Sequence, residues 1–95
     1  MKKRPRLDAN HAEIVSALRK MDVQVQSLAA IGGGCPDLLC SYRYYTFVVE
    51  IKDGRKAPSE RKLTPAEWRW FDAWTGEYWV IESLDDCAQI LTGKG

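Results

Sequence analysis

The sequence predicts an α/β fold in which a mixed four-stranded sheet is flanked by helices, in the order α-β-β-β-α-β-α. Three observations predict it. Apolar residues recur at helical spacing in three segments, residues typical of strands alternate or cluster in four others, and Gly and Pro separate the two kinds of segment. A chain of 95 residues has the length of one domain, and we expect residues 1–95 to form it.

The first helix is predicted over residues 11–20, where apolar side chains follow at helical spacing. Asn10 and Glu13 stand in the Asn-x-x-Glu order of a capping box at its start. Alternating apolar and polar residues over 23–27 then predict a half-buried strand. Gly32-Gly33-Gly34 breaks the chain, because only glycine tolerates such a run without steric cost.

Two strands are predicted next, over residues 37–42 and 44–52, with a tight turn near Arg43 between them. The second strand is the richest in β-branched and aromatic residues, which favour strands. Thr64 is suited to cap a helix over residues 65–74. We expect a central strand over 78–81.

A last helix is predicted from the capping segment at Ser83 through Leu91, and Gly93 ends it. Ahead of the first helix, residues 1–7 are predicted to be a basic, flexible arm. The longest apolar runs are four residues, far short of the ~20 needed to cross a membrane, and no apolar segment of a secretory signal follows the basic start. We therefore expect a cytoplasmic protein without membrane contact.

Composition excludes several classes of chemistry. His11 is the one histidine, the three cysteines have no CxxC spacing, and neither a Walker loop nor a GxGxxG motif occurs. Zinc modules of the Cys/His type and nucleotide cofactors are therefore not expected. Residues 1–62 carry twelve Lys and Arg against seven Asp and Glu, which is a charge distribution typical of proteins that bind a phosphate backbone.

The strand over 44–52 carries two charged residues, Glu50 and Lys52, on the same face. If the preceding turn is centred on Arg43 and Tyr44, the numbers of paired residues add up to 87. Asp37 then lies opposite Glu50, with Cβ atoms ~4.5–5.5 Å apart. Two carboxylates this close repel each other unless a cation neutralises them, and Mg²⁺ prefers such oxygen ligands. A simpler interpretation pairs Glu50 with Lys52 and leaves Asp37 as a turn residue.

At these residues the sequence resembles a known family. Gly33-Gly34-Cys35-Pro36-Asp37 followed by Val48-Val49-Glu50-Ile51-Lys52 matches the PD-(D/E)xK nuclease pattern. The surrounding sequence resembles the virus-type replication-repair nuclease (VRR-NUC) group, which is similar in core to Holliday junction resolvases. The likeness extends from Glu13 through residues 63–65 to the strand at 80–81.

The resemblance implies a restriction-endonuclease-like core and a catalytic set of Glu13, Asp37, Glu50 and Lys52. In it, Glu13, Asp37, Glu50 and the backbone carbonyl of Ile51 would hold Mg²⁺ or Mn²⁺, and Lys52 would be the motif lysine. The capping-box role given above for Glu13 competes with the metal role. The family commonly has a glutamine where this chain has Glu67, and the role of Glu67 is left open.

A basic loop over residues 53–62 contributes Arg55, Lys56, Arg61 and Lys62 as expected DNA contacts. The next helix crowds Trp68, Trp70, Phe71 and Trp74 into one short segment. The positions 67, 70, 71 and 74 share one face, which is most simply core packing. Self-association and stacking on DNA bases are the alternatives.

Together these features predict a Mg²⁺- or Mn²⁺-dependent DNA endonuclease. The resemblance implies branched or structured DNA, such as four-way junctions, as substrate, and a homodimer as the acting form. A non-cleaving nucleic-acid-binding module that keeps the nuclease fold is the alternative. An interaction protein that uses the tryptophan-rich helix is a third possibility of another class.

Overall fold

A computed structural model describes residues 7–94, so the predicted basic arm lies outside the described residues except for Leu7. The observed elements follow the predicted order, and their bounds are α1 His11–Lys20, β1 Gln24–Ser27, β2 Leu38–Tyr42, β3 Tyr45–Ile51, α2 Pro65–Ala73, β4 Glu77–Ile81 and α3 Leu84–Lys94. A short 3₁₀ turn, Pro58–Glu60, interrupts the loop between β3 and α2. No described helix is long and apolar enough to span a membrane.

The four strands lie side by side in the order β1-β2-β3-β4. β1 pairs antiparallel with β2, β2 pairs antiparallel with β3, and β3 pairs parallel with β4, so the sheet is mixed as predicted. The expectation that the segment 78–81 is a central strand is wrong. β4 is an edge strand of the described sheet, because the chain beyond it forms α3 instead of a further strand.

The turn between β2 and β3 sets the register that the sequence predicted. Its two central residues, Arg43 and Tyr44, have φ of 47° and 70°, as a two-residue turn that matches the strand twist requires. Leu38 pairs with Val49 and Tyr42 pairs with Tyr45, so the numbers of paired residues add up to 87. The predicted register is confirmed.

α1 and α3 cover one face of the sheet, which we call the inner face. The core beneath them consists of side chains that are at most 6% exposed: Ile14, Leu18, Val23, Val25, Leu38, Cys40, Phe47, Val49, Ile51, Ile81, Cys87 and Ile90. Burying this apolar surface supplies the main favourable free energy of folding. The cysteines at 35, 40 and 87 are free, in agreement with the absence of a disulfide pattern.

The opposite, outer face carries Val48, Glu50 and Tyr78, and α2 lies beside it. The expectation that one stripe of α2 forms core is wrong, since no residue of α2 is buried. The physical reason is that α1 and α3 already occupy the inner face. α2 lies against the outer face instead, where Trp70 and Phe71 contact Tyr78. Trp70 stacks on Trp74 with ring centroids 5.1 Å apart. Trp68 is 51% exposed.

Candidate active site

The glycine-rich segment before β2 brings the Pro-Asp sequence up to α2. All three glycines have positive φ, and Gly34 has 84°. A Cβ on Gly34 would stand 2.3 Å from the carbonyl oxygen of Ala66, so no other residue fits this approach without displacing the backbone of α2. The close contact places Cys35 and Asp37 next to the first turn of α2.

Asp37 lies one residue ahead of β2 and its side chain reaches across to the end of β3. Its Oδ2 accepts a hydrogen bond from the backbone N–H of Ile51 at 2.7 Å. Extending the observed register by one pair puts Asp37 opposite Glu50, as the sequence predicted. The hydrogen bond holds the Asp37 carboxylate at the carboxyl end of β3, where Glu50 and Lys52 lie.

Buried Glu50 and Lys52 form a charge cluster with the half-buried Glu67 on the outer face. The Lys52 Nζ lies 2.8 Å from Glu67 Oε1 and 3.6 Å from Glu50 Oε2. Glu50 is 5% exposed and Lys52 is 8% exposed. The simpler interpretation of a Glu50–Lys52 pair is therefore present in the structure, but Lys52 is held more closely by Glu67, and Asp37 faces the same group of charges.

Glu67 occupies the site because of its position in α2. It is the third residue of the helix, and its Oε1 accepts the backbone N–H of Thr64 at 2.8 Å while its own N–H donates to Thr64 Oγ1. This reciprocal capping box directs the carboxylate back toward the helix start. The same Oε1 accepts from Lys52, so one oxygen caps the helix and binds the lysine.

The carboxyl groups of this cluster are electrostatically strained. Burial, together with the nearby Asp37 and Glu67 carboxylates, raises the pKa of Glu50 to about 9. Burial also raises the pKa of Asp37 above its ordinary value, although the Ile51 N–H opposes the change. Burial alone would raise the pKa of Glu67, but hydrogen bonds from Lys52 and Thr64 leave it lowered.

The pKa of Lys52 is raised even though the residue is buried. Desolvation favours the neutral amine, yet the hydrogen bond to Glu67 and the charge of Glu50 raise the pKa of Lys52 above its ordinary value. Lys52 is therefore a protonated donor near Glu50. Glu50 Oε1 is buried and has no hydrogen-bond partner among the described residues.

Two further residues belong to this site: Cys35, which adjoins the motif in the sequence, and Tyr78, which no sequence pattern indicated. The Tyr78 hydroxyl is buried without a partner in the described part of the chain. Burial and the charges of Glu50, Glu67 and Asp37 raise its pKa. Burial, Glu50 and Asp37 likewise raise the pKa of the Cys35 thiol. Tyr78 lies on the outer face because it pairs with Val48 in the parallel β3–β4 ladder. No local sequence pattern predicts this pairing.

Glu13 is the one predicted acidic residue that the structure does not bring to this cluster. It is exposed and lines a different cleft, together with Arg55 and Asp53, at the ends of α1 and α3. No group of three or more His, Cys, Asp or Glu side chains within residues 7–94 is arranged to hold a metal ion. The helical position of Glu13 explains this, since Ile14 and Leu18 face the core and Glu13 points away from them.

The predicted capping box of α1 is also wrong. Asn10 makes no side-chain cap, and its Oδ1 has no partner among the described residues. Its amide nitrogen donates instead to the carbonyl oxygens of Lys52 at 3.1 Å and Glu82 at 3.2 Å. Asn10 therefore connects the start of α1 to the chain just after β3, where the candidate site lies. A residue that the sequence assigned to local capping is a long-range positioning residue.

Most cations of the basic loop form ion pairs with acidic residues of the same chain. Arg55 is paired with Asp53 at 3.0 Å, and Lys56 approaches Asp8 at 3.4 Å. Arg61 lies 3.3 Å from Glu82. Lys62 is exposed and has no ion pair within the described ranges. Three of the four predicted DNA contacts are thus partly neutralised by acids of the same chain.

Comparison with known proteins identifies the fold. No family model and no curated protein matches this chain. A solved structure described as a VRR_NUC domain is similar to it with a TM-score of 0.64 and 20% sequence identity, and the match covers 85% of this chain and 92% of that one. The fold predicted from the motif resemblance, a mixed four-stranded sheet flanked by helices, is confirmed.

Proposed function

We propose that this chain, which has the fold of a VRR-NUC domain, is a metal-dependent endonuclease that hydrolyses phosphodiester bonds in DNA. One observation carries the proposal. The carboxyl groups of Asp37 and Glu50 lie at the same end of β2 and β3, beside the buried ammonium group of Lys52. A protein that only bound nucleic acid would gain nothing from buried carboxylates that repel phosphate.

The residues present fit a divalent cation. Asp37 and Glu50 offer two carboxyl groups, which is enough for an ion that keeps several waters, and one buried oxygen of Glu50 lacks a partner among the described residues. Hard oxygen donors and a local excess of negative charge suit Mg²⁺ or Mn²⁺. Asp37 and Glu50 would hold the ion, and the carbonyl oxygen of Ile51 stays a predicted ligand. Once bound, the ion would supply Lewis-acid stabilisation of charge on the phosphate.

The side chains of the cluster have separate roles in this mechanism. The Ile51 N–H fixes the orientation of the Asp37 carboxylate. Glu67 holds Lys52 so that its ammonium group stays beside Glu50. The remaining N–H donors of Lys52 can orient the attacking water or a phosphate oxygen, where charge develops during hydrolysis.

Branched DNA, such as a four-way junction, is the proposed substrate, and a homodimer is the proposed acting form. A junction has two-fold symmetry and needs two matching cuts, which a two-fold protein dimer supplies. This finer assignment rests on the motif resemblance. The exposed aromatic side chains of α2 support a role in association.

A cleavage assay tests the proposal. Purified protein is incubated with end-labelled duplex, flap, single-stranded and four-way junction DNA, each with Mg²⁺, Mn²⁺ or EDTA. We expect cleavage with either ion, none in EDTA, and the highest rate on the junction. Absence of cleavage on all four substrates with both ions would contradict the nuclease assignment and favour the non-cleaving binding module.

A further inference from the structure

A groove runs along α1 on the side of the β1 edge and has a volume of about 570 Å³. Its lining extends from His11 at the start of α1 to Lys20 at its end. At ~1.5 Å per helical residue these ends lie ~13 Å apart, which is about the length of two nucleotides of an extended strand. We call it the α1 groove.

The charged residues of the α1 groove are all basic. Arg19 and Lys20 line it, together with the imidazole of His11, and no Asp or Glu within residues 7–94 does. Arg19 donates from Nη2 to the carbonyl oxygen of Val25 at 3.3 Å, which holds its guanidinium group across the groove. Neither Arg19 nor Lys20 has an ion-pair partner in the described part of the chain, in contrast to most cations of the basic loop.

The other lining groups match the remaining parts of a nucleotide. Ser16 and Ser27 supply exposed hydroxyl groups, and Val15 supplies partly exposed apolar surface above the buried Val25 and Leu38. Hydroxyl and cationic donors are the groups that contact phosphate oxygens in nucleic-acid complexes. Aliphatic surface between such donors suits van der Waals contact with the deoxyribose of a nucleotide.

The α1 groove begins at the candidate active site. His11 Nδ1 is buried and has no hydrogen-bond partner among residues 7–94, and the imidazole acts electrostatically on the Asp37 carboxyl group. Asp8 faces the same carboxyl group with the opposite sign and is engaged by Lys56. The start of α1 also contacts the chain just after β3, since the Asn10 amide nitrogen donates to the carbonyl oxygen of Lys52 at 3.1 Å.

We propose that the α1 groove binds the sugar-phosphate backbone of one DNA strand as that strand leaves the active site. The inference rests on the proposed nuclease function and adds the path of the substrate. It assigns Arg19 and Lys20 as phosphate contacts, which the sequence analysis had assigned only to the basic loop.

Fluorescence anisotropy of labelled oligothymidylates in EDTA tests the groove without cleavage. Lys20→Gln should flatten the plot of log K against log[salt] by about 0.7, and the Arg19→Gln/Lys20→Gln variant by about 1.4, because each lost phosphate contact on a single strand contributes about 0.7. The double variant should bind about 10-fold more weakly. Arg69→Gln is the charge-matched control, since Arg69 lies on α2, away from the groove, and should leave the slope unchanged.

A second variant guards against a loss of helix stability. Arg19 and Lys20 stand in the last turn of α1, where cations stabilise the helix end. Ser16→Glu leaves them in place and adds a carboxylate to the groove, so it should weaken binding while circular dichroism shows an unchanged fold. If the Arg19→Gln/Lys20→Gln and Ser16→Glu variants both bind DNA as tightly as the wild type, the groove assignment is wrong. It is also wrong if polyglutamate competes for the groove as well as unlabelled DNA does, which would indicate an acidic peptide as occupant.

The two proposals fail separately. Cleavage by the wild type together with unaltered cleavage and binding by the groove variants would overturn the groove and leave the nuclease function standing. Salt slopes that fall as expected, with no cleavage in Mg²⁺ or Mn²⁺, would overturn the nuclease function and leave a strand-binding groove.

Discussion

The Glu50 carboxyl group combines deep burial with two acidic neighbours, and this combination makes it the most informative single residue. Its one close cation, Lys52, lies nearer to Glu67 than to Glu50. Ionising a buried carboxyl group without full compensation destabilises a folded chain. Stability is therefore limited at this site in the absence of a cation, as is common at functional sites.

Asp37→Asn tests the proposed ligand pair. Asparagine keeps an oxygen for the Ile51 N–H, so we expect the fold to stay intact, with a free energy of unfolding in EDTA equal to or up to about 1 kcal/mol above that of the wild type. Cleavage should fall by at least about 100-fold, since an electrostatic element of the site is lost. Urea unfolding and a cleavage assay measure the two effects. Asp72→Asn, an exposed change on α2, is the control, and cleavage by Asp37→Asn at the wild-type rate would refute the site.

Stability in EDTA should fall as the pH rises. The pKa of Glu50 is 4.5 in an ordinary environment and about 9 in the fold, so over this range the folded chain binds a proton that the unfolded chain has released. The stabilising contribution is complete below pH ~4.5 and is lost as the pH approaches ~9, and the raised pKa of Asp37 acts in the same direction.

Glu50→Gln should flatten this dependence, which can reach about 1.4 kcal/mol per pH unit for one group. Urea unfolding at several pH values measures it, and the exposed Glu60→Gln serves as control. Equal pH dependence in the wild type and in Glu50→Gln would show that Glu50 is not the titrating group.

Among the elements, the basic loop and α2 differ most from their sequence-based interpretation. Three cations of the loop have acidic partners, and α2 leaves the aromatic rings of Trp68 and Phe71 exposed beside the candidate site. Long-range contacts explain most of this. Lys56 and Arg61 pair with Asp8 and Glu82 of distant segments, whereas Arg55 pairs with Asp53 inside the loop, and the inner face of the sheet has no room for α2.

Alanine at Arg55, Lys56, Arg61 and Lys62 should weaken binding to all DNA sequences alike, because phosphate contacts carry no base information. A full contact flattens the duplex salt slope by about 0.9. We expect Lys62→Ala to show this full effect, since Lys62 has no ion pair to exchange within the described ranges, and Arg61→Ala to show less, since Glu82 partly neutralises it. Anisotropy titrations over salt give the slopes, and an unchanged slope in the quadruple variant would exclude the loop as a DNA contact.

At the scale of the whole molecule, the prediction concerns its oligomeric state. We predict a dimer at micromolar concentration by light scattering, with an interface of at least ~1,000 Å². Trp68 is 51% and Phe71 37% exposed, so α2 is the expected contact, and Trp68→Ser should shift the protein to monomer. Tyr44→Ser, at the fully exposed hairpin tip, is the matched control and should leave the dimer intact. A wild type that stays monomeric even on junction DNA would contradict the junction-resolving assignment.

Local sequence determined much of the fold and the centre of the site. The bounds of α1 follow from helical spacing, and the β2–β3 register follows from a two-residue turn, because a short turn leaves one way to pair its strands. That register, with the alternation of strand side chains, was enough to bring Asp37 to Glu50 and to put Lys52 on the same face.

Only the tertiary structure decided which other residues join Asp37, Glu50 and Lys52 in the site. Glu67 reaches Lys52, and Tyr78 lies on the outer face, through the packing of α2 on Gly34 and the parallel pairing of β3 with β4. Glu13 does not reach the site because α1 packs on the sheet through Ile14 and Leu18 and leaves Glu13 exposed. Parallel pairing and helix docking depend on which surfaces the rest of the chain leaves free, so residues far apart in sequence determine them together and no local pattern encodes them.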